Sequence, residues 1–285
     1  MKKLTEKGMR ALFFICACIS VAAVVLICVF IFSNGVPAIK EIGFTNFILG
    51  RSWKPKQNLY GIFPMIVASV YVTAGAIIIG GPIGILTAIF FAYYCPKGVY
   101  RVVKPMINLL ASVPSIIYGF FFLVAVVPVM QKLTGTGGKG MLTASILLGL
   151  MILPTIINTS EASLNAVPSQ YLEGALALGA TKEHSIFKTV LPAAVSGVLS
   201  GVILGIGRAI GETMAVIMII GNQPVLPSSL VSGVRTLTGN IVIEMAYASG
   251  LHRGALIGTA VVLFVFVLII NLCFSALTRR KIDYE

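Results

Sequence analysis

The sequence predicts an all-α integral membrane protein with about six transmembrane helices, and two observations predict it. Of 285 residues, 58% are hydrophobic and only 11% charged, with a mean hydropathy of +1.00; in ordinary globular chains about a quarter of residues are charged. Uncharged runs extend from Ala11 to Ser33, Leu59 to Pro96, Pro105 to Gln131, Gly140 to Ser160 and Gly254 to Thr278, each long enough for the roughly 20 residues that cross a hydrocarbon core. A sixth, Pro192 to Asn222, is interrupted only by Arg208 and Glu212. Lipid offers no partner to backbone N–H and C=O groups, so runs this long must be helical.

The first run follows Lys2, Lys3, Lys7 and Arg10, as in the n-region of a secretory signal. Its apolar stretch is too long for an h-region and no small-residue cleavage site follows, so it reads as a membrane helix. An outer segment from Asn34 to Pro64 holds the only tryptophan, Trp53, and Tyr60, both suited to an interfacial aromatic belt. From Met65 to Cys95 a helix would rise about 46 Å against a core of about 30 Å. The expected kink lies at GGPIG, Gly80 to Gly84, because proline removes a helical hydrogen bond.

A basic segment, Lys97 to Lys104, turns before span three, and the loop LTGTGGKG separates spans three and four. That loop resembles a nucleotide-binding loop only superficially, since Lys139 is followed by Gly140 rather than Ser or Thr. ATP chemistry must therefore come from another chain. The longest inner loop, about Thr159 to Leu191, mixes apolar positions with Glu161, Glu173, Lys182, Glu183 and Lys188; it is amphipathic and too polar to span. Pro168 and Gly179 divide it into short helices, whose apolar face needs cover from a partner or from the chain's own bundle. The chain thus divides into residues 1–64, a first helix with its outer segment, and residues 65–285, a core that carries the 159–192 loop.

Twelve lysines and arginines fall on the side of the termini and of this loop, eight on the other, with Arg208 inside the membrane. The excess favours both termini inside. Five cysteines lie within or at the ends of spans without paired spacing, and neither His184 nor His252 has a partner at metal-ligand spacing. These residues give no reason to expect a metal site.

The segment EGALALGATKEHSIFKTVLP resembles the EAA loop of ABC-importer permeases at Glu173, Ala175, Gly179, Leu191 and Pro192, and departs from it at Gly174 and Thr189. The resemblance implies a type I ABC-importer (MetI-like) permease fold. It also implies a coupling loop seated on a separate ATP-binding subunit, with Pro192 opening span five so that motion passes along a rigid lever. GIGRAIGETMAVIMIIGN, Gly205 to Asn222, and WKPKQNLYGIFP, Trp53 to Pro64, resemble the PstC-type permease of the bacterial phosphate-specific ABC importer. That family implies a substrate pathway at Arg208, Glu212 and Thr213, in a multi-pass protein of the bacterial plasma membrane. Its implied partners are a PstA-like second permease, two PstB-like ATP-binding subunits, a PstS-like phosphate-binding protein and membrane lipid, without nucleic acid. No cofactor is expected on this chain, ATP and Mg being used by the partner ATPase.

A charge at the bilayer centre costs about 2.5–3.5 kcal/mol on insertion scales. Arg208 and Glu212, four apart, would share a helical face and could pair with each other or with a neighbouring subunit. Alternatively, Arg208 presents its fork to an oxyanion. Gly197, Gly201 and Gly205, with Gly207 and Gly211, recur at four-residue spacing, which lets helices approach closely. A permease for sulfate or molybdate meets the same electrostatic requirement. A membrane enzyme lacks support, with no paired histidines, carboxylate cluster or nucleophile elbow. A secondary carrier fits poorly with a single EAA loop and no inverted repeat.

Overall fold

The computed structural model describes residues 2–282, with side chains described from Gly8 to Cys273. The side chains of Lys2, Lys3, Lys7, Arg279, Arg280 and Lys281, part of the orientation argument, lie outside the described residues. The chain opens with α1 (Lys2–Ile42), α2 (Phe44–Leu49) and an antiparallel hairpin of β1 (Trp53–Lys54) and β2 (Leu59–Tyr60), in which Trp53 faces Tyr60. Next come α3 (Phe63–Tyr93), α4 (Lys97–Ser112), and α5 (Ser115–Phe121), joined through a π-helical segment, Phe122–Val126, to α6 (Val127–Thr134). α7 (Met141–Asn165) leads to α8 (Ser169–Ala177) and α9 (Lys182–Ser185), with a second π-helical segment, Ile186–Val190, before α10 (Leu191–Ala193). The chain ends in α11 (Val195–Gly211), α12 (Met214–Ile219), α13 (Leu237–Met245) and α14 (Gly250–Ile282).

Five helices or helix runs are long and apolar enough to cross a membrane: Gly8–Ile42, Phe63–Tyr93, Ser115–Thr134, Met141–Asn165 and Gly250–Cys273. A sixth is the pair Lys182–Ala193 and Val195–Gly211, bent by 71°. The first continues through Pro37 to Ile42 rather than ending near Ser33. The third begins at Ser115 rather than Pro105, because Pro114 forces Val113 into an extended conformation (φ −66°, ψ 128°) that ends α4.

α3 and α7 form the central pair. The expected kink at Gly80–Gly84 does not break α3, which runs unbroken through Pro82. Its glycines instead admit α7: a Cβ on Gly80 would lie 2.7 Å from the Gly149 carbonyl oxygen, and one on Gly84 would lie 2.8 Å from Ile156. Around this contact Val72, Ala76, Leu147, Leu148, Ile152, Ile156, Val216 and Ile219 form the main core. Gly80→Leu should therefore force the helices apart at a cost of about 1–3 kcal/mol. The check is the melting temperature of the detergent-solubilised protein, which should fall; an unchanged value would show that the helices have room to spare.

A second cluster joins α1, α14 and the hairpin through Ile39, Phe47, Trp53, Tyr60, Ile62, Leu237 and Leu256. Trp53, 4% exposed, is therefore core and not an interfacial belt residue. In a third cluster Ile186, Val190, Ala194 and Val198 pack against Ala88, Ile89 and Leu164. α7 continues to Asn165, so Glu161 is a buried helical residue and not part of a surface loop beginning at Thr159.

Candidate functional site

The hairpin made by α8, α9 and α10 follows from local sequence. Gly179 closes the turn after α8 at φ +87°, a conformation that costs a side-chain-bearing residue energy. Thr181 then caps α9, its Oγ1 accepting from the His184 N–H. Glu173 and Gly179 are exposed, Ala175 half-buried, and Tyr171, Leu176, Leu178 and Phe187 stand out as exposed apolar side chains, Leu178 at 91%. Lys182 Nζ donates to the Tyr93 carbonyl at 2.7 Å and sits 4.7 Å from the Tyr94 ring centre, tying the hairpin to the C-terminal end of α3.

The hairpin does not run straight into α11. Leu191, half-buried, and exposed Pro192 lie in α10, before the 71° bend, and α11 starts only after Ala194. Pro192 has no N–H to offer the Lys188 carbonyl, and the preceding turn is π-helical, with the Leu191 N–H reaching Ile186. Beyond the bend, added Cβ atoms on Gly197, Gly201 and Gly205 would meet Ser163 at 2.1 Å, Thr159 at 3.1 Å and Ile156 at 3.1 Å, so this register packs on α7. Gly207 and Gly211 have nothing within 4 Å among the described residues and form no such contact.

Arg208 and Glu212 do not pair. α11 ends at Gly211 and Glu212 is extended (ψ 128°), so the helical face assumed for the pair ends between them. Glu212 Oε1 accepts from the backbone N–H groups of Thr213 and Ala215 at 3.1 Å, capping α12. Thr213 Oγ1 turns back to the Gly211 carbonyl. Arg208 Nη1 donates to Thr155 Oγ1 of α7 at 3.4 Å and has no carboxylate within 4 Å among the described residues. A helix interrupted between two apolar segments leaves backbone groups that only protein or water can satisfy, which is why such breaks line cavities.

Two buried carboxylates escaped the sequence. Glu244 of α13 accepts from Arg235 Nη1 (2.5 Å), Trp53 Nε1 (2.8 Å) and His252 Nε2 (2.8 Å). Arg235 also donates to the Asn222 carbonyl and to Asn240 Oδ1. Burial raises the Glu244 carboxyl, but hydrogen bonds from Trp53, His252 and Arg235, with the Arg235 charge, outweigh it and hold the group below its ordinary 4.5. The signal available was the single Trp in a polar segment; its partners come from 191 residues away.

On the hairpin side, Glu161 of α7 pairs with Lys104 and accepts from the Tyr100 hydroxyl at 2.7 Å. This hydrogen bond, then burial, raises the Tyr100 phenol. Lys104 also donates to Asn158 Oδ1 (2.7 Å), and Asn158 donates to Asn108 Oδ1 (3.1 Å). The spacing of Ile157, Glu161 and Leu164 could have shown that α7 continues past Thr159.

Residues 80–283 match the family described as binding-protein-dependent transport system inner membrane component. The chain is 35% identical over 292 residues to the probable ABC transporter permease protein YqgH of Bacillus subtilis (strain 168), covering 99% of this chain and 94% of that protein. It is 34% identical over 261 residues to the phosphate transport system permease protein PstC of Pasteurella multocida (strain Pm70), covering 85% and 81%. In fold it resembles a chain of the MetNI methionine ABC transporter in an inward-facing conformation, with a TM-score of 0.60 at 20% identity, over 81% of this chain and 99% of that one. With its apolar spans, the bent pair Lys182–Ala193 and Val195–Gly211, and its surface hairpin, this multi-pass chain belongs to the binding-protein-dependent inner membrane component family, the permease subunits of ABC importers.

Proposed function

We propose that this chain is a PstC-type subunit of an ATP-driven phosphate importer and forms half of the translocation pathway in the bacterial plasma membrane. The observation that carries the reading is Arg208, a half-buried cation beside a helix break and without a carboxylate partner among the described residues. Arginine stays charged at any relevant pH, so an anion must answer it, and its planar fork matches a tetrahedral oxyanion. Glu212, engaged with the α12 backbone, leaves that fork open. The identity with phosphate permeases supports phosphate as the anion.

In this reading a PstA-like chain supplies the other half of the path, two PstB-like subunits hydrolyse ATP with Mg, and a PstS-like protein delivers phosphate. Both termini and the hairpin face the cytoplasm, and the exposed apolar residues of the hairpin seat on the ATPase. Cells lacking this chain should lose high-affinity uptake of labelled phosphate and regain it on complementation, with excess sulfate or molybdate leaving the rate unchanged. Full competition by either would transfer the assignment to that anion.

The coupling role has its own test. Gly179→Pro cannot adopt φ +87° and removes the N–H that bonds the Leu176 carbonyl at 2.9 Å. The variant should insert normally but lose substrate-stimulated ATP hydrolysis by the partner, a loss of about tenfold or more if the seat depends on this turn. Normal stimulation would remove the hairpin from the coupling path.

A further inference from the structure

We infer that the cavity on the hairpin side, rimmed by Lys97, Arg101 and Lys104, is an exit station for the transported oxyanion, joined to Arg208 by a polar ladder along α7. This rests on the phosphate-importer reading and adds a second site to it. The cavity has a volume of about 570 Å³ and lies between α3, α4 and α7, within the size range of small-molecule sites.

Three cations face one carboxylate there. Glu161 commits one oxygen to the Tyr100 hydroxyl and the other to Lys104. Lys97 and Arg101 are exposed and carry no ion pair among the described residues, so the rim keeps a surplus of positive charge. α4 turns this basic face, Lys97, Arg101 and Lys104 at i, i+4 and i+7, toward the cavity. Its opposite face, Val99, Val102, Met106 and Leu109, is apolar and exposed. A surplus of cations around a cavity suits an anionic occupant.

Polar side chains continue along one face of α7 from the Arg208 contact to the cavity. Arg208 reaches Thr155, and Asn158 stands one helical turn further along the same face of α7. Asn158 bonds Asn108 and Lys104, and Lys104 bonds Glu161 at the cavity wall. An anion leaving Arg208 thus meets neutral donors and then increasingly hydrated cations. Exposure weakens each attraction, as release requires.

Cys95, half-buried, lines the same cavity and serves as a reporter. In the assembled transporter in phosphatidylcholine nanodiscs, with Cys16, Cys18, Cys28 and Cys273 changed to Ser, inorganic phosphate should slow modification of Cys95 by a thiol reagent. Chloride at equal ionic strength should not, and Lys97→Gln with Arg101→Gln should abolish the protection. In proteoliposomes the same double variant should import phosphate about tenfold more slowly, and the charge-conserving pair Lys97→Arg with Arg101→Lys should restore the rate.

If the unsubstituted transporter imports phosphate but Cys95 is unprotected and the double variant imports normally, the station is wrong while the importer reading stands. Protection of Cys95 by phosphatidylglycerol in the nanodisc, with none from inorganic phosphate, would make the cavity a lipid headgroup site and overturn the inference. Failure of the unsubstituted transporter to import phosphate would remove the importer reading and the station with it.

Discussion

Glu244→Ala is expected to destabilise the end of the protein that carries α13 and the β1–β2 hairpin by about 3–5 kcal/mol, because it leaves a mostly buried cation without its partner. Arg235 would keep only the Asn222 carbonyl and Asn240 Oδ1, and the buried Trp53 Nε1–H would lose its acceptor. The hairpin of β1 and β2 would lose its polar tie to α13, since the Trp53 hydrogen bond crosses between them. Trp53 is the only tryptophan, so its fluorescence reports the site directly. Emission should shift to the red and the melting temperature in detergent should fall; an unshifted spectrum in a folded variant would show that packing with Tyr60 and His252 holds the ring without the carboxylate.

The same group predicts a pH dependence with a definite sign. Glu244 has a folded-state value held below its ordinary 4.5, so its contribution is fully present above that value. It is lost as pH falls through the depressed folded value. The parent protein should therefore lose stability on acidification below about pH 4.5, and Glu244→Gln should flatten that part of the profile. The alanine and glutamine variants together separate loss of charge from loss of all acceptors.

Arg208→Gln should lower phosphate uptake by about 10- to 150-fold, the range that loss of charge-assisted hydrogen bonds of roughly 1.5–3 kcal/mol would give. Arg208→Lys keeps the charge and loses the fork, and should fall between parent and glutamine variant. Protein level separates this role from a structural one. An unpaired membrane cation costs about 2.5–3.5 kcal/mol on insertion scales, so the glutamine variant should insert at least as well as the parent. A cation holding the bundle together through a neighbour's carboxylate would instead lower the level of assembled transporter. Uptake unchanged in Arg208→Gln at normal protein level would remove Arg208 from the pathway.

Much of the architecture was legible because a membrane simplifies the reading. Backbone groups in lipid must bond within their own helix, so hydropathy locates spans directly: Phe63–Tyr93 falls within an uncharged run, and Met141–Asn165 starts on one and extends past it to include Glu161. The surface hairpin was legible as well, because Pro168 and Gly179 act locally, through φ angles. Helix breaks were read less well. GGPIG, the expected kink position, lies inside the continuous helix α3, and the close packing of α7 on its glycines was not legible there. GRAIGET reads as continuous helix, yet α11 stops at Gly211 and the Glu212 carboxylate caps the next helix. The choice between these outcomes depends on what lies across from each segment.

The amino-acid sequence alone established an all-α membrane chain with an amphipathic surface hairpin, since apolar run length and local turn chemistry need no distant partner. Only the tertiary structure decided which charges meet. It separated Arg208 from Glu212, gave Glu244 to Trp53, Arg235 and His252, and gave Glu161 to Lys104 and Tyr100. The physical reason is range: a span is set by neighbours a few residues away, whereas a buried carboxylate is satisfied by donors that packing brings from far along the chain.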